Sequence, residues 1–302
     1  MSTLTPASTP ERILLRLDWE VIRRLDGLLQ GDYRSLFYGY GVDFADLREY
    51  QPGDDIRYID WNVTARMDSP YVRQYAEDRE ITAWFLLDLS PSMDFGTVPS
   101  QSLKRTVLID FVTILARLLT RHGNRVGAIF YGSRIERTIP PRGGRLQVLR
   151  IINDLLKQPQ LTQTPVTDLS SLLHGGLHTI KKRSLIFIIS DFISAPGWER
   201  PLNLLSRRHD VLAIRLWDPR EIELPDVGPI IIEDAETGEQ LYVDTRDRRF
   251  RQRFQEAAQR RETELTETFK RAGVDALSLS TEEDLVRAIV RFATMRQRRR
   301  NK

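Results

Sequence analysis

The chain has 302 residues, and its 45 Lys and Arg against 42 Asp and Glu leave a net charge of only +3, which speaks against a nucleic-acid binder. At this length and with 41% hydrophobic residues it can bury one large α/β core with an appendage. The absence of cysteine excludes disulfides, thiolate zinc sites, iron–sulfur clusters and thiol nucleophiles; with no apolar run near the ~18–20 residues of a membrane span and no signal-peptide pattern in the first residues, a soluble cytoplasmic protein is expected.

Residues 1–9 are rich in Ser, Thr and Pro, and Thr9-Pro10-Glu11 reads as an N-cap, a first-turn proline and a first-turn acid. Leu14, Leu17, Val21, Leu25 and Leu28 then form one apolar helix stripe that stops at Gly31. From Asp32 to Glu80 the periodicity fades, and Gly39, Gly41, Pro52 and Gly53 punctuate segments rich in Tyr, Trp, Arg and Asp. Such a stretch is too irregular to fold alone and is expected to pack on the more C-terminal part of the chain. Arg48, Arg57 and Arg66 alternate there with Glu49, Asp54, Asp55 and Asp60, a pattern of structural ion pairs, with Trp61 as the expected apolar anchor.

The signal changes at Ile81. Trp84–Leu87 is an uninterrupted apolar run, as a strand buried on both faces requires. Leu103–Leu119 has helical spacing, and Val126–Tyr131 and Ile135–Ile139 are two short strands. Leu146–Leu156 and Leu169–Ile180 read as helices, Leu185–Ile189 as a second buried strand, Trp198–Leu205 as a helix and Val211–Trp217 as a third buried strand. A hairpin, Ile230–Ile232 with Leu241–Val243, turns through Glu236-Thr237-Gly238. A long polar helix over about 247–271, a last strand Val274–Leu279, and a capping box at Ser280-Thr281-Glu282-Glu283 opening a final helix complete the pattern. The isolated doublets Gly143-Gly144 and Gly175-Gly176 read as turns or close packing. Strands alternating with helices predict an α/β fold, a doubly wound and mainly parallel sheet flanked by helices. The expected divisions are an N-terminal helix and lead-in over 1–40, an irregular segment over 41–80 packed on the sheet, and the α/β domain over 81–302.

Ligands of such sheets bind beyond the carboxyl ends of the strands, where the strand order switches. Asp88-Leu89-Ser90-Pro91-Ser92 comes after the first buried strand and Ser190-Asp191 after the second. One carboxylate and two hydroxyls at alternating positions, with a second carboxylate on the neighbouring strand end, offer the hard oxygens that suit Mg²⁺, or Mn²⁺ in its place. The competing reading is capping of a helix by Ser90 or Ser92, with Asp88 a strand-end acceptor.

The Asp88-x-Ser90-x-Ser92 triplet resembles the metal-ion-dependent adhesion site of von Willebrand factor A domains. The resemblance implies two further ligands, Thr167 in a loop opening a helix and Asp191, both present in the expected order. It also implies that Ser90 and Ser92 coordinate directly, that Thr167 binds directly or through water, that Asp88 and Asp191 act largely through water, and that an acidic side chain of a partner fills the open position. A second resemblance runs from Gly41 to the C-terminus. Gly41–Trp61 with Ala65-Arg66, Asp218-Pro219-Arg220-Glu221, Leu224-Pro225-Asp226, Glu236-Thr237-Gly238-Glu239 and Leu279–Phe292 are similar to the bacterial family called domain of unknown function number 58. That likeness implies an adaptor or partner of a MoxR-type AAA+ ATPase.

Enzyme signatures are missing. Ser90 stands where an aspartyl phosphatase carries its second Asp, and no Gly-x-Ser-x-Gly elbow, Walker A loop or Gly-x-Gly-x-x-Gly follows a strand. His174 and His178, four apart, have no third ligand in sight. The expectation is therefore a non-enzymatic, Mg²⁺-dependent protein-interaction module. A divalent-metal phosphohydrolase using Asp88 and Asp191, and a scaffold with a vestigial metal site that binds through its basic run Arg296–Lys302, are the alternatives.

Overall fold

A computed structural model describes residues 9–28, 46–67, 69–74, 80–97, 103–161 and 167–300. Residues 1–8, Gly31, Gly39, residues 41–45, residues 164–166 before Thr167, and the last two residues of the basic run lie outside the described residues. The helices are α1 (Pro10–Leu17), α2 (Arg23–Leu28), α3 (Trp61–Thr64), α4 (Lys104–Arg121), α5 (Arg145–Leu156), α6 (Leu169–Thr179), α7 (Glu199–Arg208), α8 (Arg248–Ala272) and α9 (Leu285–Arg300). The strands are β1 (Asp46–Glu49), β2 (Tyr71–Gln74), β3 (Thr82–Asp88), β4 (Arg125–Tyr131), β5 (Ile135–Arg142), β6 (Leu185–Ser190), β7 (Asp210–Trp217), β8 (Pro229–Glu233), β9 (Gln240–Asp244) and β10 (Asp275–Ser280).

Six strands form the central sheet in the order β10-β7-β6-β3-β4-β5, parallel throughout except for β5, which runs antiparallel to β4. Alternation along each strand divides the core in two. Ala83, Phe85 and Leu87 of β3 face α1, α4, α5 and α9, while Trp84 and Leu86 face α6, α7 and α8. At the centre of the first layer Phe85 stacks on Phe187 of β6 with ring centroids 5.2 Å apart. Helices on both faces explain why β3 and β6 are apolar without interruption. The chain leaves β3 toward β4 and β5, then crosses back to β6, β7 and β10, so the switch in strand order lies between β3 and β6. Among the described residues no helix is long and apolar enough to cross a membrane.

Several local expectations are corrected. The N-terminal helix is interrupted by a π segment, Asp18–Ile22, whose wider turn carries one extra residue. The buried face therefore advances: Ile22 joins Leu14, Leu17 and Leu25 in the core, and Val21 packs half-buried against it. Residues 46–74 are more regular than their sequence suggests: β1 and β2 pair antiparallel around the short helix α3. The Arg48–Asp54 and Arg57–Asp55 pairs form, each at 2.6 Å, and Asp60 caps α3. Trp61 is not the anchor, since it is 69% exposed and Val72 of β2 is buried instead. The last helix is capped by Asp284, which accepts from the Arg287 backbone N–H, because Ser280 is the final residue of β10 and closes only a turn. Gly175 and Gly176 sit inside α6, where a side chain on Gly176 would come within 2.9 Å of Leu86. Arg296, the first residue of the basic run, is buried and paired with Asp210 at 2.9 Å and Asp275 at 3.2 Å, so it belongs to the fold and not to a solvated tail.

Candidate metal centre

β3 ends at Asp88 and β6 at Ser190, on neighbouring strands at the switch point. Asp88 is fully buried, and both its oxygens already accept hydrogen bonds, from the Ser90 backbone N–H at 3.0 Å and from the Ser190 hydroxyl at 2.7 Å. The chain then makes a short 3₁₀ turn, Pro91–Asp94, which Pro91 opens and which sinks Pro91 and Met93 into the core. Ser90 precedes that turn but makes no side-chain capping bond, so the capping alternative does not hold for it. Its hydroxyl lies 3.1 Å from the hydroxyl of Ser92, and the Ser92 side chain is near enough to the Asp191 carboxyl to help lower its pKa. Asp88, Ser90, Ser92 and Asp191 are thus one cluster.

The turn that aims Asp191 is strained. Phe192 has φ 58°, the left-handed region that a β-carbon disfavours by roughly 1–2 kcal/mol. Two things hold it there. Its backbone N–H donates to the Ser190 hydroxyl at 2.9 Å, and its ring packs edge-on against Phe269 at 4.9 Å and against Trp198 at 5.7 Å. Ser190 therefore couples the Phe192 turn to Asp88 through one hydroxyl, accepting on one side and donating on the other.

Asp191 is paired with a residue that its sequence surroundings do not announce. Lys104, the first residue of α4, is wholly buried and donates from Nζ to Asp191 at 2.8 Å and to Glu221 at 2.5 Å. Burial alone would push the Lys104 ammonium down, yet the charges of Asp191 and Glu221 outweigh it and raise its pKa. Burial would likewise raise Asp191, but the Lys104 ammonium and the Ile193 N–H hold its carboxyl below the usual range. Burial together with the charge of Asp191 pushes Asp88 up to about 6. Glu221 continues the chain of contacts by accepting from the Asp218 backbone N–H at 3.0 Å. Asp218, fully buried at the end of β7, accepts from Thr97, from the Arg220 N–H at 2.9 Å and from the Thr281 hydroxyl at 2.7 Å. The Asp218-Pro219-Arg220-Glu221 motif is thereby wired to the cluster, and it holds together the ends of β7 and β10 and the loop after β3.

Thr167 reaches the same end of the sheet by another route. Its carbonyl accepts from the Ala195 N–H at 2.9 Å and from the Ser194 hydroxyl at 3.0 Å, which ties it to the loop after Asp191. The next residue, Asp168, caps α6 and donates its N–H to the hydroxyl of Tyr131, the residue paired with Asp88 across the sheet. Thr167 is itself buried, and both its N–H (2.6 Å) and its hydroxyl donate to the carboxylate of Glu236. The sequence predicts one site of five residues, Asp88, Ser90, Ser92, Thr167 and Asp191; the structure brings four of them together and ties Thr167 to Glu236 instead, and the sequence misses Lys104, Glu221 and Glu236. The last two are visible only as members of family-like motifs, and Lys104 carries no signal at all.

Chemically the cluster offers two serine hydroxyls and buried carboxylates in excess over one ammonium, while the Thr167 hydroxyl, at the same end of the sheet, is given to Glu236. Among the described residues no group of three or more His, Asp or Glu side chains is set to hold a metal, so a cation here would rest on hydroxyls and water. That donor set suits a small, hard, hydrated ion such as Mg²⁺. His174 and His178 are joined by no third His, Asp or Glu set to hold a metal among the described residues, and the His178 ring bonds the His174 carbonyl at 2.7 Å, one helical turn back.

Comparison with known proteins bears on the second of the two resemblances, the family called domain of unknown function number 58. The Uncharacterized protein Rv1480 of Mycobacterium tuberculosis is 36% identical over 287 residues, covering 94% of this chain and 89% of its own, and the Uncharacterized protein Mb1516 of Mycobacterium bovis matches equally. Among solved structures, the conserved hypothetical protein BatB from Bacteroides thetaiotaomicron is 11% identical with a TM-score of 0.43 over 72% of this chain and 99% of that one. An aerotolerance-related membrane protein from Bacteroides fragilis is 15% identical with a TM-score of 0.44 over the same shares. The family described as "Protein of unknown function DUF58" matches residues 46–264, and the chain belongs to it.

Proposed function

We propose that the chain is a non-enzymatic, Mg²⁺-dependent protein-interaction module of the von Willebrand factor A type, and that it serves a MoxR-type AAA+ ATPase in the cytoplasm as adaptor or partner. One observation carries the metal reading. Two serine hydroxyls stand 3.1 Å apart beside two buried carboxylates at the switch point, and Ser90 is not spent on capping. Ser90, Ser92 and Thr167 would hold Mg²⁺ through their hydroxyls. Asp88 and Asp191, whose oxygens already accept from protein donors, would act mainly through water. The bound ion would supply an electrophilic position for an acidic side chain of the partner, in a setting where ionic attraction exceeds the ~0–1 kcal/mol of an exposed salt bridge.

A second reading has one observation in its favour. The Lys104 ammonium already sits on Asp191, and a cluster balanced by a tethered cation would be a scaffold with a vestigial metal site. Calorimetric titration of Mg²⁺ into wild type and Ser92→Ala separates the two. The metal reading expects a saturable heat in wild type that Ser92→Ala loses, together with loss of binding to the ATPase in Mg²⁺ buffer. The variant is preferable to a chelator, which would also strip Mg²⁺ from the ATPase nucleotide. Equal ATPase binding by both proteins would favour the scaffold, and phosphoester turnover lost in Asp88→Ala would favour a phosphohydrolase.

A further inference from the structure

Three chain segments deliver cations to the amino ends of the parallel strands. Lys181, Lys182 and Arg183 precede β6, Arg207 and Arg208 close α7 before β7, and Lys270 and Arg271 close α8 before β10. Hydrogen bonds tie the segments together: the Asp210 N–H donates to the Ser184 carbonyl at 3.0 Å, and the Ser206 hydroxyl to the Ala272 carbonyl at 2.7 Å. His209 is buried with neither ring nitrogen bonded; after burial itself, the charges of Arg208 and Arg183 lower its pKa, so both guanidinium groups stand near one ring. All seven cations are exposed, and among the described residues none of them makes an ion pair. No acid lies in residues 179–185, 204–209 or 268–274, and Asp210 and Asp275, at the starts of β7 and β10, are both paired with Arg296. With 45 basic residues against 42 acidic in the whole chain, everything outside this pole is net negative. The carboxyl ends of α6, α7 and α8 favour cations locally, which lets them gather so closely.

We infer that this basic pole docks the protein on an anionic phospholipid bilayer. A lipid surface asks only for unpaired cations spread over one face, and each Lys or Arg brought to it strengthens binding about fivefold. Nucleic acid fits less well. Single strands are held by stacking on exposed rings, and the one aromatic ring in these segments, Phe269, is buried. Grooves are read by a helix or ribbon laid into them, whereas α6, α7 and α8 end at this surface. A protein interface would carry an apolar centre, and Leu204 is the one large apolar side chain open to solvent in these segments. The inference does not use the metal reading. It does orient that site: Asp88 and Asp191 lie at the opposite ends of the strands, about 20 Å away over the six residues of β6, and would face away from the lipid.

The test sediments the full chain with phosphatidylcholine vesicles made with and without phosphatidylglycerol. The protein should follow the anionic vesicles only, and should be released as salt shortens the screening length from ~10 Å at 0.1 M to ~3 Å at 1 M. Lys182→Gln with Arg207→Gln removes two exposed, unpaired cations and should weaken binding about 25-fold with an unchanged melting temperature. Arg248→Gln with Arg249→Gln, at the other end of α8, removes the same charge and should bind like wild type. Equal weakening by the two pairs would overturn the inference, because net charge and not this pole would then attract the protein. Sedimentation that ignores phosphatidylglycerol would overturn it as well. Tighter binding to an oligonucleotide than to anionic vesicles at equal phosphate would replace the bilayer with nucleic acid. Inorganic phosphate at matched ionic strength should not compete, and competition would replace the bilayer with a single-phosphate site.

Discussion

Replacing Lys104 with Met is the most demanding test of how the centre is balanced. Methionine is near the length of lysine and leaves little cavity, so most of the effect is loss of charge, with repacking worth less than about 1.5 kcal/mol. At 2.8 Å from Asp191 and an effective dielectric constant of ~20, the ammonium–carboxylate attraction is about 6 kcal/mol, and the 2.5 Å contact with Glu221 is of similar size. Desolvation of the buried ions, several kcal/mol each, offsets much of that. What remains after the substitution is Asp191 at 1% side-chain exposure beside Asp88 at 0%, without the ammonium that pairs with Asp191. A loss of about 3–5 kcal/mol is expected, the range for breaking one side of a buried pair. For a domain of this size that lowers the melting temperature by on the order of 10 °C. Thermal and urea unfolding at neutral pH measure it, and Asp191→Asn added to Lys104→Met should recover a large part, since the two residues act as a unit. A loss below about 1 kcal/mol, or strict additivity in the double variant, would refute the argument that Lys104 balances the cluster.

Gly127→Ala should cost about 1–3 kcal/mol by overpacking, because its new methyl would stand 2.9 Å from the Ile139 carbonyl oxygen and 3.1 Å from Trp84; urea midpoints would report it, and an unchanged midpoint would show that the β4–β5 edge yields. His209 is buried with neither ring nitrogen bonded, and burial, then the charges of Arg208 and Arg183, lower its pKa from 6.5. Its unfolded form therefore binds the proton more readily. Stability present above pH 6.5 should be lost as the pH falls below it, and His209→Gln should flatten that slope in melts from pH 8 to pH 5.

The legible part of this molecule is the part whose cause is local. Strands such as Leu185–Ser190, covered on both faces, must be apolar at nearly every position, so they stand out without any knowledge of their neighbours. Asp88, Ser90, Ser92 and Asp191 are readable because parallel strands deliver their carboxyl ends to one rim, and the motif lies just past two of them. Lys104 is not readable, because a lysine opening a helix looks the same whether it meets water or an aspartate 87 positions away. Glu236 likewise sits in a polar turn whose unusual property, its burial, comes from Thr167, 69 positions earlier in the chain. Trp61 misleads for the opposite reason: size suggests burial, yet among the described residues it stays 69% exposed.

The left-handed turn at Phe192 makes three aromatic rings part of the centre's address. Phe192 keeps its backbone conformation because Trp198, just before α7, and Phe269, near the end of α8, leave its ring one place to go. Asp191 precedes that turn, and Ser190 couples it to Asp88, so the bearing of both carboxylates is set from the second face of the sheet, among residues with no oxygen to offer a metal. A variant that shrinks Phe269 would relax the turn and swing the acid, and its phenotype would look like a lost ligand.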